Sequence, residues 1–207
     1  MDIIKNNPYR IIGILSNATA KEIQSRKGKI TAYAKVGKQI TSEFDFPLFK
    51  SIEREHDKIE KAFSAIQQSK EMLENSLFWF LNTNSFDDTA INYLRNGDKE
   101  KAIEIWEKVT TEKEVTPKNY SCFNNIGTLK LLGESQEEIK EGIEKKIKLI
   151  ESDSFKSFVP LRDNFFCNGN IVIWEAVKVN VVRLRKIPLC GRPDLRDAFD
   201  FFADNVK

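Results

Sequence analysis

Six basic side chains in one short stretch, Lys21, Arg26, Lys27, Lys29, Lys35 and Lys38, are the residues whose type and spacing carry usable chemistry. On a helix they form a cationic surface, and such a surface draws an acidic partner toward itself by long-range attraction. No comparable set suggests bond-making chemistry. The one histidine, His56, leaves no pair for a metal site and little room for a Ser-His-Asp arrangement. Glu53, Glu55, Asp57 and Glu60 sit among lysines at intervals that favour ion pairing on a wetted helix over acid-base catalysis. Cys122, Cys167 and Cys190 are too widely spaced for a thiolate cluster or a disulfide framework, and Cys122 beside Phe123 reads as a small buried hydrophobe. The glycines never form a phosphate-cradling loop before a helix. The expectation is no catalytic residue, no cofactor, no metal and no enzyme.

The elements that position the basic residues can be read from caps and periodicity. Pro8 fixes the backbone before a short helical turn, and Asn17 or Thr19 can cap a helix over 20–36 whose first turn carries Glu22. Ile23, Ile30 and Ala34 fall toward one side of it, and Lys21, Lys27, Lys35 and Lys38 toward water. Gly37 is a plausible stop. Phe44, Phe46, Pro47 and Phe49 are too aromatic for an idle solvent loop and are expected to fold back into a core. Over 51–81 the positions Ile52, Ile59, Phe63, Ile66, Leu73 and Leu77 keep a helical spacing, with a break expected around 67–69 and a large apolar payload from Phe78, Trp79 and Phe80 near the end. His56 is then a surface helix residue.

The chain has 207 residues, with 33 basic against 31 acidic side chains and a net charge of +2. That length buries a core without disulfides or metal, and the near balance of charge argues against a dedicated nucleic-acid protein. The start, Met1-Asp2-Ile3-Ile4, lacks a basic segment followed by an apolar run, and the longest apolar candidates, such as 171–182, are interrupted by Glu175, Lys178 and Asn180. A soluble, cytoplasmic protein with no membrane contact is expected.

Asn7-Pro8-Tyr9-Arg10-Ile11-Ile12-Gly13-Ile14 resembles the opening of a DnaJ-type J-domain. Asn17-Ala18-Thr19 with Glu22-Ile23 resembles the start of that family's second helix, and Ala62-Phe63-Ser64-Ala65-Ile66 its third. The resemblance implies that the basic helix docks an acidic face of a DnaK-type chaperone. Where the family carries the His-Pro-Asp trigger of ATP hydrolysis, this chain has Lys35-Val36-Gly37, so stimulation of a chaperone ATPase is expected to be weak or absent. Phe86, Ala90, Tyr93, Gly97-Asp98, Ala102 and Trp106 resemble a tetratricopeptide repeat, and Phe123, Ile126 and Gly127 begin the pattern again. Fewer than three repeats seldom stand alone, so this unit is expected to lean on the first through Phe78, Trp79 and Phe80. Ser135 with Glu138 can cap a further helix bearing Ile139, Ile143, Ile147 and Ile150.

The expected fold is all-α: a J-like helical hairpin over 1–81, a tetratricopeptide-like unit over 86–152, and a tail over 161–207 of uncertain structure. Up to Pro160 the basic residues are 21 lysines and 4 arginines, and from Leu161 onward 3 lysines and 5 arginines. That shift suggests a domain boundary or a truncated or frame-shifted end, and a strand competes with a helix over 171–187. The expected function is a non-catalytic, co-chaperone-like interaction module, with a DnaK-type chaperone or a client peptide as partner. The alternative is a nucleic-acid-associated adaptor using the same helix, which lacks the interleaved aromatics of a base-stacking platform.

Overall fold

The computed structural model describes residues 2–38, 40–67 and 69–155. Among these residues the protein is all-α, without strands. The expectations for 161–207 lie outside the described residues. No helix among the described residues is long and apolar enough to cross a membrane.

After α1 (Asp2–Lys5), Asn7 caps α2 (Pro8–Ile12) by accepting a hydrogen bond from the Tyr9 amide, and Pro8 occupies the first turn, where its missing N–H costs nothing. Thr19 and Glu22 form a reciprocal capping box at α3 (Ala20–Lys35). The helix expected over 51–81 is two shorter ones, α4 (His56–Ala65) and α5 (Ser69–Leu77). Residues 51–55 are not helical, and Phe78, Trp79 and Phe80 lie beyond the end of α5. Three consecutive bulky aromatics cannot share the single apolar stripe of a helix. Leaving the helix lets all three bury almost completely.

Four helices follow: α6 (Ser85–Arg95), capped by Asn84; α7 (Lys99–Thr110), capped by Asp98; α8 (Tyr120–Lys130); and α9 (Gln136–Glu151), started by the Ser135–Glu138 capping box. Each packs on the next, α6 on α7, α7 on α8 and α8 on α9. α8 and α9 approach each other closely at Gly142. A Cβ on Gly142 would lie 2.9 Å from the Leu131 nitrogen and 3.0 Å from the Gly127 oxygen. Phe86, expected as a large core position, is 41% exposed, whereas Ala90, Ala102 and Trp106 are fully buried.

Residues 77–81 join the two halves, and their backbone polar groups find partners on α8, on α9 and on the turn after α2. The Leu77 carbonyl accepts from Lys146 Nζ at 2.5 Å, and the Trp79 carbonyl from Asn124 Nδ2 at 2.8 Å. The Phe80 carbonyl accepts from the Ser16 amide at 2.9 Å and its hydroxyl at 3.1 Å. Asn125 pairs both ways with Leu81, accepting from its N–H at 3.0 Å and donating to its carbonyl at 2.7 Å. Non-helical backbone can be buried here because amide side chains replace the missing helical bonds. Trp79 Nε1 donates to the Ile14 carbonyl at 2.8 Å, and Phe80 stacks on Trp106 at 6.1 Å, so the aromatics touch both halves.

Candidate functional site

The segment that precedes the basic helix is a carbonyl-rich helix end that needs donors. At the end of α2 the Arg10 carbonyl accepts from Arg54 Nη2 at 3.3 Å and the Ile11 carbonyl from Arg54 Nε at 2.8 Å. The Ile12 carbonyl accepts from Arg26 Nε at 2.7 Å and the Gly13 carbonyl from Ser42 Oγ at 2.8 Å. Cationic donors also complement the negative end of the helix dipole. Asp45 holds Arg54 in place through a two-pronged pair at 2.9 and 2.5 Å. Arg10 lies over the Phe49 ring at 4.6 Å and donates to the Lys5 and Lys50 carbonyls.

Gly13 closes this arrangement with φ at 82°, in the left-handed region. A Cβ there would lie 2.6 Å from Arg26 Nη2 and 2.6 Å from Ser42 Cβ. Gly13→Ala is therefore expected to cost about 2 kcal/mol, combining the left-handed backbone penalty with displacement of Arg26. A urea denaturation midpoint indistinguishable from that of the parent would rule this out.

Arg26, one of the six basic candidates, is thus committed to the fold. Besides Ile12 it bonds the Thr41 carbonyl at 3.0 Å, and burial, reinforced by the neighbouring Arg54 charge, lowers its pKa. Lys27 lies at the edge of the same face: its ammonium is 5.3 Å over the Phe63 ring and 4.0 Å from Glu60 on α4, while 42% of its side chain stays exposed. With Ile23 and Ile30 these two residues make up the inward face of α3, at spacings of three, four and seven, so half of that face is cationic. Ile30 alone among the helix residues is buried. Lys21, Lys29, Lys35 and Lys38 remain exposed.

The far end of α3 also carries exposed apolar groups, Tyr33 at 45% and Val36 at 66%. Val36 caps the helix and Gly37 follows in the left-handed region at φ 64°. Lys35, Val36 and Gly37 therefore form the exposed C-terminal turn of α3. His56 opens α4 in full solvent contact. α4 finds its principal partner in α2 rather than α3.

Toward its start, α3 forms one wall of an open cleft of about 890 Å³, with Lys21, Ser25, Arg26 and Lys29 on that side. Glu22 also lies on that side, and the other walls come from the turn that includes Ile14, Asn17 and Ala18, from the segment with Ser42, Glu43 and Phe44, from Asn82, and from Arg95 of α6. Arg95 pairs with Glu43 at 2.5 Å and lies over the Phe44 ring at 5.1 Å.

No family model, no curated protein and no solved structure matches this chain.

Sequence reasoning missed a buried polar set on α6, α8 and α9. Asp87 on α6 accepts from Trp106 Nε1 at 3.0 Å, Asn125 Nδ2 at 2.9 Å and the Thr83 amide at 3.1 Å. The Cys122 thiol sits 3.5 Å from the same carboxylate, and burial, then the Asp87 charge, pushes its pKa up to about 12. A thiol so placed stays protonated at neutral pH and is a poor nucleophile. No group of three or more His, Cys, Asp or Glu side chains among the described residues is placed to hold a metal.

Proposed function

We propose that this protein is a non-catalytic, co-chaperone-like interaction module that docks an acidic protein surface through the cationic outer face of α3. The observation that carries the proposal is how little of α3 the fold uses. Of its 16 residues only Ile30 is buried, while Lys21, Lys29, Lys35 and the following Lys38 stay exposed with Tyr33 and Val36 beside them. A helix held by so few inward contacts and bearing cations without an ion-pair partner among the described residues suits electrostatic steering of an acidic partner, with the apolar end adding contact area after encounter.

The J-like opening makes a DnaK-type chaperone the first acidic partner to test. Binding and triggering are separable here, because Lys35-Val36-Gly37 stands where the His-Pro-Asp trigger would be. The purified chain is expected to bind such a chaperone and leave its single-turnover ATP hydrolysis unchanged. Lys29→Glu, Lys35→Glu and Lys38→Glu together should weaken binding at least about tenfold, more at low salt than at high. Absence of binding, or binding indifferent to these reversals, would overturn the proposal. Displacement of the bound protein by any duplex nucleic acid would favour the adaptor alternative.

A further inference from the structure

We infer that the cleft at the start of α3 is a seat for an extended acidic peptide segment, one that alternates carboxylate and apolar side chains. The inference rests on the docking role proposed for α3, and it places the seat at Lys21 and Lys29 rather than at the exposed end of the helix.

The cleft has more positive charge than it neutralises. Lys21, Arg26, Lys29 and Arg95 line it against Glu22 and Glu43. Glu22 is engaged by the Thr19 capping box and Glu43 by Arg95. Lys21 and Lys29 have no carboxylate within ion-pair distance among the described residues. Arg26 is taken up by the Ile12 and Thr41 carbonyls and Arg95 by Glu43, so among the described residues Lys21 and Lys29 are the cations of this lining left for an occupant.

The geometry selects the class of occupant. Lys21 and Lys29 are eight residues apart on one helix face, about 12 Å along the axis, which is the reach of about four residues of extended chain. In an extended chain alternate side chains share a face, so carboxylates four residues apart can meet both lysines. The intervening side chains then face away from α3, on the side where Ala18 and Phe44 are half-buried.

A nucleic acid fits less well. Phe44, the one aromatic of the lining, is held edge-on to Phe46 at 6.2 Å, and the Arg95 guanidinium lies 5.1 Å over its ring. No free ring is left there as a base platform.

The test measures fluorescence anisotropy of a short labelled peptide of alternating glutamate and leucine, added to the full chain and three variants whose helicity and melting are checked first. Ala18→Trp fills the cleft without changing charge; Lys21→Glu with Lys29→Glu reverses its wall; Lys35→Glu with Lys38→Glu reverses charge outside it. The intact chain should bind, the first two variants should bind about tenfold more weakly, and the third should change affinity less than about threefold. No binding by the intact chain, or binding untouched by Ala18→Trp, overturns the assignment. If Ala18→Trp is silent while the Lys35 and Lys38 reversal abolishes binding, the docking role of α3 stands and the cleft does not. Equal weakening by both charge-reversed variants, with Ala18→Trp silent, means unspecific attraction and also overturns it.

Discussion

Replacing Lys146 by methionine is expected to destabilise the protein by about 3 kcal/mol, although the new side chain has nearly the same shape and an apolar tip. Lys146 Nζ is buried against four oxygens: the carbonyls of Leu77 and Asn124, Asn124 Oδ1 and Thr128 Oγ1, at 2.5 to 2.7 Å. Burial pulls its pKa well below that of a free lysine. The surroundings oppose this pull, since a neutral amine would turn its lone pair on an acceptor while an ammonium offers three donors.

Two of the four oxygens have no substitute donor. The Leu77 carbonyl is at the end of α5, and the Leu81 N–H that would reach it in a longer helix is given to Asn125. Asn124 Oδ1 is buried with Lys146 as its donor. Leaving both unsatisfied costs about 1 to 3 kcal/mol each, and relief from burying a charge offsets part of that. Urea denaturation of both proteins decides the matter. A methionine variant as stable as the parent would mean that shape alone holds α9 to the joint.

The same residue marks the limit of what the sequence makes legible. Helix starts are written in local chemistry: of the two cap candidates before α3, Thr19 is the one that caps, and Ser135 with Glu138 caps α9 as expected, while Asp98, read only as part of a turn, also caps α7. Burial of Trp79 and Trp106 follows from size and apolarity. Polar residues inside helices give no such signal, because hydropathy assigns them to water.

Position could still have found several of them. Lys146 is three residues after Ile143 and four before Ile150, on the inward stripe of α9, and Asp87 precedes the buried Ala90 and Ile91 by three and four. Arg26 and Lys27 stand between Ile23 and Ile30 in the same way. A charged group at an inward position signals a buried polar partner rather than a solvent face. Of the basic candidates, those at outward positions remain exposed and those at inward positions hold α3 to α2 and α4. The cleft was not legible, because its far wall comes from the turn after α2, the Phe44 segment and Arg95, and only the tertiary fold assembles these beside α3.

Asp87 supplies the second large effect. Asp87→Ala is expected to cost about 3 kcal/mol, because it strands the Trp106 indole N–H and the Thr83 amide and leaves Asn125 to hold Leu81 alone. Asp87→Asn keeps one acceptor and should cost less, since only the donors that met the other carboxylate oxygen lose their partner.

The pair of Asp87 and Asn variants also separates charge from hydrogen bonding through pH. Burial raises the Asp87 pKa above the ordinary carboxyl value, and hydrogen bonds from Ser121, Thr83, Trp106 and Cys122 only moderate the rise. The folded chain therefore holds this proton more tightly than the unfolded chain does. The stability the protonated carboxyl contributes is fully present below the unfolded value and is lost as pH rises through the raised folded value. Asparagine does not titrate. The stability of the parent minus that of Asp87→Asn should therefore fall as pH rises through this window and level off above it. Taking the difference cancels the oppositely shifted carboxylates Glu22, Asp98 and Glu138, which are common to both chains. A difference that stays constant across the acid range in urea denaturation would show that Asp87 pays no penalty for its charge, and that its role is hydrogen bonding alone.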